Sequence, residues 1–300
     1  MKRIHLTIFV AIFTFGVSFA QGGYRKSVSV IGDSYSTFEG FMPEGYEIFY
    51  RSGRQIGDND VVKVEQMWWH QLIKKNGWKL DINNSFSGST ISSSGYNGAD
   101  YTSRSFVTRM SNMGNPDIIF IFGATNDSWV PAPIGDYKYE GWTKEDLKAF
   151  RPSLCKMLDF MTKRYLNTDI YFLLNSELSA DINTSVKAIC EHYHIPVIEL
   201  HDIEKKMNHP SAAGMTAIAD QVDAFVRNAH HQKKMTQTDA AKQVQPRQTQ
   251  PAQSRVLGNN PRVRQLTRNR MRNNTVRSGN TVIGRKTSRN ITTNKVRNAQ

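Results

Sequence analysis

The chain has 300 residues, enough for one globular domain with additions, and its only cysteines are Cys155 and Cys190, too few for a disulfide-built scaffold. The net charge of +13 is unevenly spread: residues 231–300 hold sixteen Lys or Arg against one acid, Asp239, a net of +15 that leaves residues 1–230 at −2. The basicity therefore belongs to the C-terminal segment, and the remainder is not a cationic binding domain.

Lys2 and Arg3 precede the apolar run Ile8 to Val17, which is followed by Ser18-Phe19-Ala20. This order of charge, short apolar stretch and small residues predicts a signal peptide over 1–20, cleaved near Ala20. The stretch is shorter than the ~20 residues that span a bilayer. No later run is apolar enough, so no integral membrane segment is expected after cleavage, and the chain is expected in the periplasm, on the cell surface or outside the cell.

From Ser27 onward, apolar runs alternate with helical patterns. Ser27 to Ile31 reads as a strand that ends at Gly32-Asp33-Ser34. Residues 39–60 are irregular and aromatic, with Phe41, Tyr46, Phe49 and Tyr50 placed to overhang whatever lies at that strand end. Val62 to Asn76 carries Trp68, Trp69, Leu72 and Ile73 at helical spacing and stops at Gly77. Leu80 to Ile82 leads a second strand into the Ser85–Thr90 loop. Ile118 to Phe122 is the most continuous buried-strand signal. A helix then begins near Thr143, is broken or restarted by Pro152 and runs to Tyr165. Asp169 to Leu174 is the fourth strand, Ala180 to Tyr193 a helix, and Pro196 to Leu200 the fifth strand. The last helix, Ser211 to Asn228, buries Met215, Ile218, Val222 and Phe225.

Strands separated mostly by helices predict an α/β fold, a three-layer α/β/α sandwich around a five-stranded parallel sheet, over residues 21–230. Ligands of such sheets bind beyond the carboxyl ends of the strands. Residues 231–300 lose the pattern and are rich in Gln, Asn, Thr and Arg, a composition that predicts a disordered basic tail. Cys155 and Cys190 are expected to be small buried side chains.

Four groups of residues fall at strand ends or helix starts. Ser34 follows the first strand, and by itself Gly-Asp-Ser is more often a helix cap than a nucleophile. Gly88 lies after the second strand, where a residue without a side chain lets a backbone N–H approach a ligand. Asn126 follows the third strand and carries an amide donor. His209 precedes Pro210, which is placed as the start of the last helix, with His209 just outside it.

In this order the four groups resemble the blocks of the SGNH hydrolases, a branch of the GDSL-type esterase and lipase superfamily. The resemblance covers about residues 27–228. It implies a flavodoxin-like sheet and a serine esterase in which Ser34 is the nucleophile and His209 the general base. It also implies an oxyanion hole of the Ser34 and Gly88 N–H groups and the Asn126 side chain, with no metal and no cofactor. The stretch Ala124 to Asp127 resembles secreted bacterial members that remove acyl groups from carbohydrates, with Ala124 where the family commonly has Gly. One position departs from the pattern: the family places an Asp three residues before the His, and here that residue is Lys206. Asp202, Glu204 or a backbone carbonyl is then left to orient the imidazole.

The expected substrate is a small ester or an acylated glycan carrying short acyl groups, with Tyr35, Tyr96 and Trp129 as candidate stacking surfaces for sugar rings. Two other readings stay open: a lipase or thioesterase for longer acyl chains, and a degenerate hydrolase domain that binds the cell envelope through its tail. Anionic envelope polymers, rather than nucleic acid, are the expected partners of that tail.

Overall fold

The computed structural model describes residues 23–130 and 132–243. The segment 1–20 and residues 244–300 lie outside them, and with them the predicted signal peptide and most of the predicted tail.

Five parallel strands form one sheet in the order β2-β1-β3-β4-β5: β1 Ser27–Gly32, β2 Lys79–Asn83, β3 Ile118–Gly123, β4 Asp169–Leu174 and β5 Val197–Glu199. β1 and β3 are buried at every position, whereas β2, at an edge, alternates between exposed and half-buried residues until Asn83. Strand alternation sends successive side chains to opposite faces. Ile119 and Ile121 accordingly join one core, with Phe106, Leu154, Leu158, Val186 and Ile189. Ile118, Phe120 and Phe122 join the other, with Trp68, Leu72, Met215, Ile218 and Val222. The first core is covered by α2 (Phe106–Arg109), α4 (Phe150–Arg164) and α5 (Ala180–His192), the second by α1 (Trp68–Asn76) and α6 (Ala212–Gln243). This is the expected α/β/α sandwich. Cys155 and Cys190 are free and buried in the first core.

Several boundaries move. Val64–Gln66 forms a separate 3-10 turn, so α1 begins only at Trp68 and ends at Gly77. Pro152 does not break α4: it is the third residue of that helix, where its missing N–H is one that the helix leaves unpaired in any case. Two short helices, α2 and α3 (Thr125–Trp129), carry no periodic signal because each is little more than one turn. The last helix runs past Asn228 to Gln243, through the first residues assigned to the tail.

His209-Pro210 also departs from expectation. It does not start α6 but forms β7, paired antiparallel with β6 (Lys205–Lys206) in a two-residue hairpin. The turn residues Met207 and Asn208 sit at φ 53° and 57°. Two consecutive left-handed residues form the turn whose twist matches a hairpin. The helix begins after Ser211, whose Oγ accepts from Gly214 N at 3.2 Å, while Asp60 Oδ1 accepts from Ala212 N at 2.8 Å. Among the described residues no helix is long and apolar enough to cross a membrane.

Candidate active site

Ser34 stands directly beyond β1, beside the point where strand order reverses between β1 and β3. Asp33 caps the 3-10 turn Ser34–Ser36 by accepting from Tyr35 N at 3.0 Å, so the serine is the first residue of the turn rather than its cap. Gly32 is confined by its neighbours: a Cβ there would fall 2.6 Å from the side chains of Ser36 and Ser85. Its small size lets β1 pass under the loop that carries Gly88.

Across this rim, His209 Nε2 lies 2.9 Å from Ser34 Oγ. The other ring nitrogen, Nδ1, is 2.8 Å from the carbonyl of Met207. A carbonyl can only accept, so Nδ1 carries the proton and Nε2 presents its lone pair to the serine hydroxyl. The backbone carbonyl, one of the three possibilities open in the sequence, is therefore the orienting group. Asp202 pairs instead with His201 at 2.9 Å, and Glu204 accepts from Ser211 Oγ at 2.5 Å. Lys206 lies directly across the hairpin from His209, yet its Nζ is 3.0 Å from Asp60, which offsets its charge.

Phe49 stacks on His209 with ring centroids 3.5 Å apart and planes 5° from parallel; Tyr35, Tyr50 and Trp129 approach at 5.2, 6.3 and 6.4 Å. Burial among these rings pushes the His209 pKa down to about 4, against a smaller upward pull from the Met207 carbonyl. At neutral pH the ring is an uncharged base. The hairpin that carries it is held from the aromatic loop. Tyr35 and Tyr50 hydroxyls donate to the carbonyls of Asn208 (2.6 Å) and Pro210 (2.8 Å). Asn59 Nδ2 lies 3.1, 3.2 and 3.1 Å from those of Lys206, His209 and Pro210.

The other two predicted residues come to the same place. Gly88 occupies a turn at φ 75°, a conformation that side chains disfavour. Phe86 N donates to Gly32 O at 3.0 Å, which sets this turn against the end of β1. Asn126 Nδ2 donates to Ser89 O at 2.9 Å while its Oδ1 accepts from Tyr96 at 2.8 Å. The amide is thus fixed in orientation with one N–H still to give. Before it, Ala124 takes φ 74°, where alanine pays about 1–2 kcal/mol and the glycine usual in the resemblance pays nothing.

Arg109 carries no local signal in the sequence. Its buried guanidinium donates to the carbonyls of Gly32 (3.2 Å), Asn84 and Arg104 (2.7 Å) and to Ser89 Oγ (3.0 Å), so it ties together the loops of Ser34 and Gly88. Asp127 accepts from the N–H groups of Ile91 and Ser92 and braces the same loop. Burial raises both Asp33 and Asp127 to about 7. The Met207-Asn208 turn was legible in principle, since Asn favours the left-handed region. Of the three proposed stacking aromatics, Tyr35 is fully buried and cannot stack on a ligand, Tyr96 is half-buried, and Trp129 is 44% exposed.

A hydroxyl set against a neutral base that can accept its proton is an arrangement able to perform nucleophilic acyl transfer. Residues 26–226 match the family model described as GDSL-like Lipase/Acylhydrolase. The chain is similar to the crystal structure of a GDSL-like lipase from Bacteroides ovatus, at 57% identity and a TM-score of 0.67 over 68% of this chain and 99% of that one. A GDSL-like lipase from Bacteroides uniformis is similar at 49% identity and a TM-score of 0.67, over 68% and 96%. A Lactobacillus plantarum protein, at 16% identity and a TM-score of 0.50 over 68% and 97%, shares the fold. No curated protein matches.

Proposed function

The chain belongs to the GDSL-like lipase/acylhydrolase family and is an ester hydrolase; from that premise we propose that it removes short acyl groups from carbohydrates, with Ser34 as nucleophile and His209 as base. The observation that carries the mechanism is the 2.9 Å contact between Ser34 Oγ and His209 Nε2, with Nδ1 held by the Met207 carbonyl.

Ser34 Oγ attacks the ester carbonyl carbon as its proton passes to Nε2, and the carbonyl oxygen becomes an oxyanion. The Ser34 and Gly88 N–H groups and the free N–H of Asn126 meet that charge, each worth roughly 3–4 kcal/mol if lost. The carbon–oxygen bond to the alcohol then breaks, and the imidazolium returns its proton to the leaving oxygen. Water repeats the sequence on the acyl-serine and releases the acid. Among the described residues no carboxylate supports the imidazolium; the Met207 carbonyl dipole does so more weakly.

Labelling with a fluorophosphonate tests this directly. An adduct on Ser34 is expected in the native protein and not in Ser34→Ala or His209→Ala; an unlabelled native protein favours the degenerate, envelope-binding reading. Export after cleavage near Ala20, and contact of the +15 segment 231–300 with anionic envelope polymers, are parts of the same proposal. Binding of that kind releases counterions and weakens steeply with salt. Pelleting with envelope material at low salt that is indifferent to deletion of the segment would remove the second part.

A further inference from the structure

A cleft of about 250 Å³ is lined by residues that follow β3 and β4 and by the hairpin, among them Trp129, whose ring is 6.4 Å from that of His209, Asn175, Ser176, Glu177, Lys205 and Asn208, the residue before His209. None of these side chains takes part in the proton transfers above. Their chemistry is nonetheless specific. Lys205 Nζ, on a side chain 14% exposed, is 3.0 Å from the Glu177 carboxylate and 3.2 Å from Ser176 Oγ. Glu177 is held at φ 65°, a left-handed conformation that non-glycine residues adopt only where the surroundings impose it. Asn175, 4% exposed, donates to Thr125 Oγ1 at 3.1 Å and has no partner for its Oδ1 among the described residues. Trp129 leaves part of its indole exposed on the same wall, 6.4 Å from the His209 ring.

The position of His209 decides which part of an ester enters here. The group that follows the leaving oxygen lies on the side of the imidazole that protonates it, and two residues of the cleft, Trp129 and Asn208, flank that imidazole in space and in sequence. An alkyl chain placed in it would strip water from an ammonium, a carboxylate and amides without replacing their hydrogen bonds. A ring with several hydroxyls replaces them, and its C–H face lies on an indole. The Lys205 charge is already matched by Glu177, so the cleft offers donors and acceptors together and selects no ion. Its volume is below the roughly 300 Å³ at which sites for drug-sized ligands begin, which suits a single ring.

Resting on the hydrolase reading of Ser34 and His209, we propose that this cleft is the leaving-group subsite and takes one neutral sugar ring, with hydroxyls on Lys205 and Glu177 and a C–H face on Trp129. The test compares kcat/KM for an acetylated methyl glucoside with that for 4-nitrophenyl acetate, in the full-length protein and in Trp129→Ala, Lys205→Met and Glu177→Gln. The ratio of sugar ester to nitrophenyl ester is expected to fall in each variant, by about tenfold or more in Lys205→Met and Glu177→Gln, the size of one lost hydrogen bond to a charged group. Glu177 is exposed, so its variant removes the charge without disturbing a core. A ratio that stays constant in all three overturns the subsite. So does a wild-type preference for the corresponding acetylated uronate over the neutral glucoside. Failure of the underlying reading looks different: no turnover of nitrophenyl acetate by the wild type, or turnover that survives Ser34→Ala, which removes the proposal together with its premise.

Discussion

At the scale of single residues, the unusual feature is the imidazole proposed as base, whose Nδ1 is held by the Met207 carbonyl and by no acid among the described residues. His209 is uncharged because it is buried against Phe49, not because a partner tunes it, and burial opposes the charged form. A base with its folded pKa lowered to about 4 stays competent as pH falls, until it protonates near that value. The acid limb of kcat/KM is therefore expected near pH 4, well below the ordinary histidine value of about 6.5. Phe49→Ala admits water to the ring face, favours the imidazolium and is expected to move that limb upward. A profile measured on both proteins checks the cause as well as the position. Ser34, Gly88, Asn126 and His209 could be picked out in the sequence because each is a residue type with one job beside a strand end. Phe49 could not, since nothing in a run of loop aromatics says which of them meets the histidine.

At the scale of elements, the hairpin β6–β7 stands where the sequence placed the start of the last helix. Its two left-handed turn residues bring the Met207 carbonyl onto Nδ1, and Asn59 holds three of its carbonyls from the opposite loop. Asn59→Ala removes a donor from the Lys206 and His209 carbonyls and leaves the buried Val61 N–H without its acceptor, which costs about 1–3 kcal/mol. It also frees the hairpin, so kcat is expected to fall more than KM changes. Urea denaturation and steady-state kinetics on the same variant separate the two effects. A loss of stability with kcat intact would mean that the hairpin keeps its position without Asn59. Lys206, which reads in the sequence as a threat to the imidazolium, is compensated by Asp60 more than a hundred residues away in the chain, a pairing that no local pattern announces.

For the molecule as a whole, both cores and the four converging blocks are contained in residues 23–243. A chain ending at Gln243 is expected to keep the esterase turnover and the thermal midpoint of the full-length protein. Ending it at Asn228 removes His230, whose Nε2 is 3.4 Å from Asp169. That pair is partly exposed, so the loss is expected to be at most about 1 kcal/mol, read as a small drop in the midpoint. A collapse of activity in the chain that ends at Gln243 would show that residues beyond it complete the fold.

The order of strands and helices and the parallel sheet were settled by the sequence, because hydrophobic period is a local property; the proposed nucleophile, base and oxyanion donors were legible there as a set of motifs that resembles a known family. What orients His209, what offsets Lys206, which aromatics are exposed, and how Arg109 ties the loops of Ser34 and Gly88 together were settled only by the tertiary structure. Those contacts join residues distant in the chain, or depend on where a backbone carbonyl points, and carbonyl direction leaves no mark on residue type.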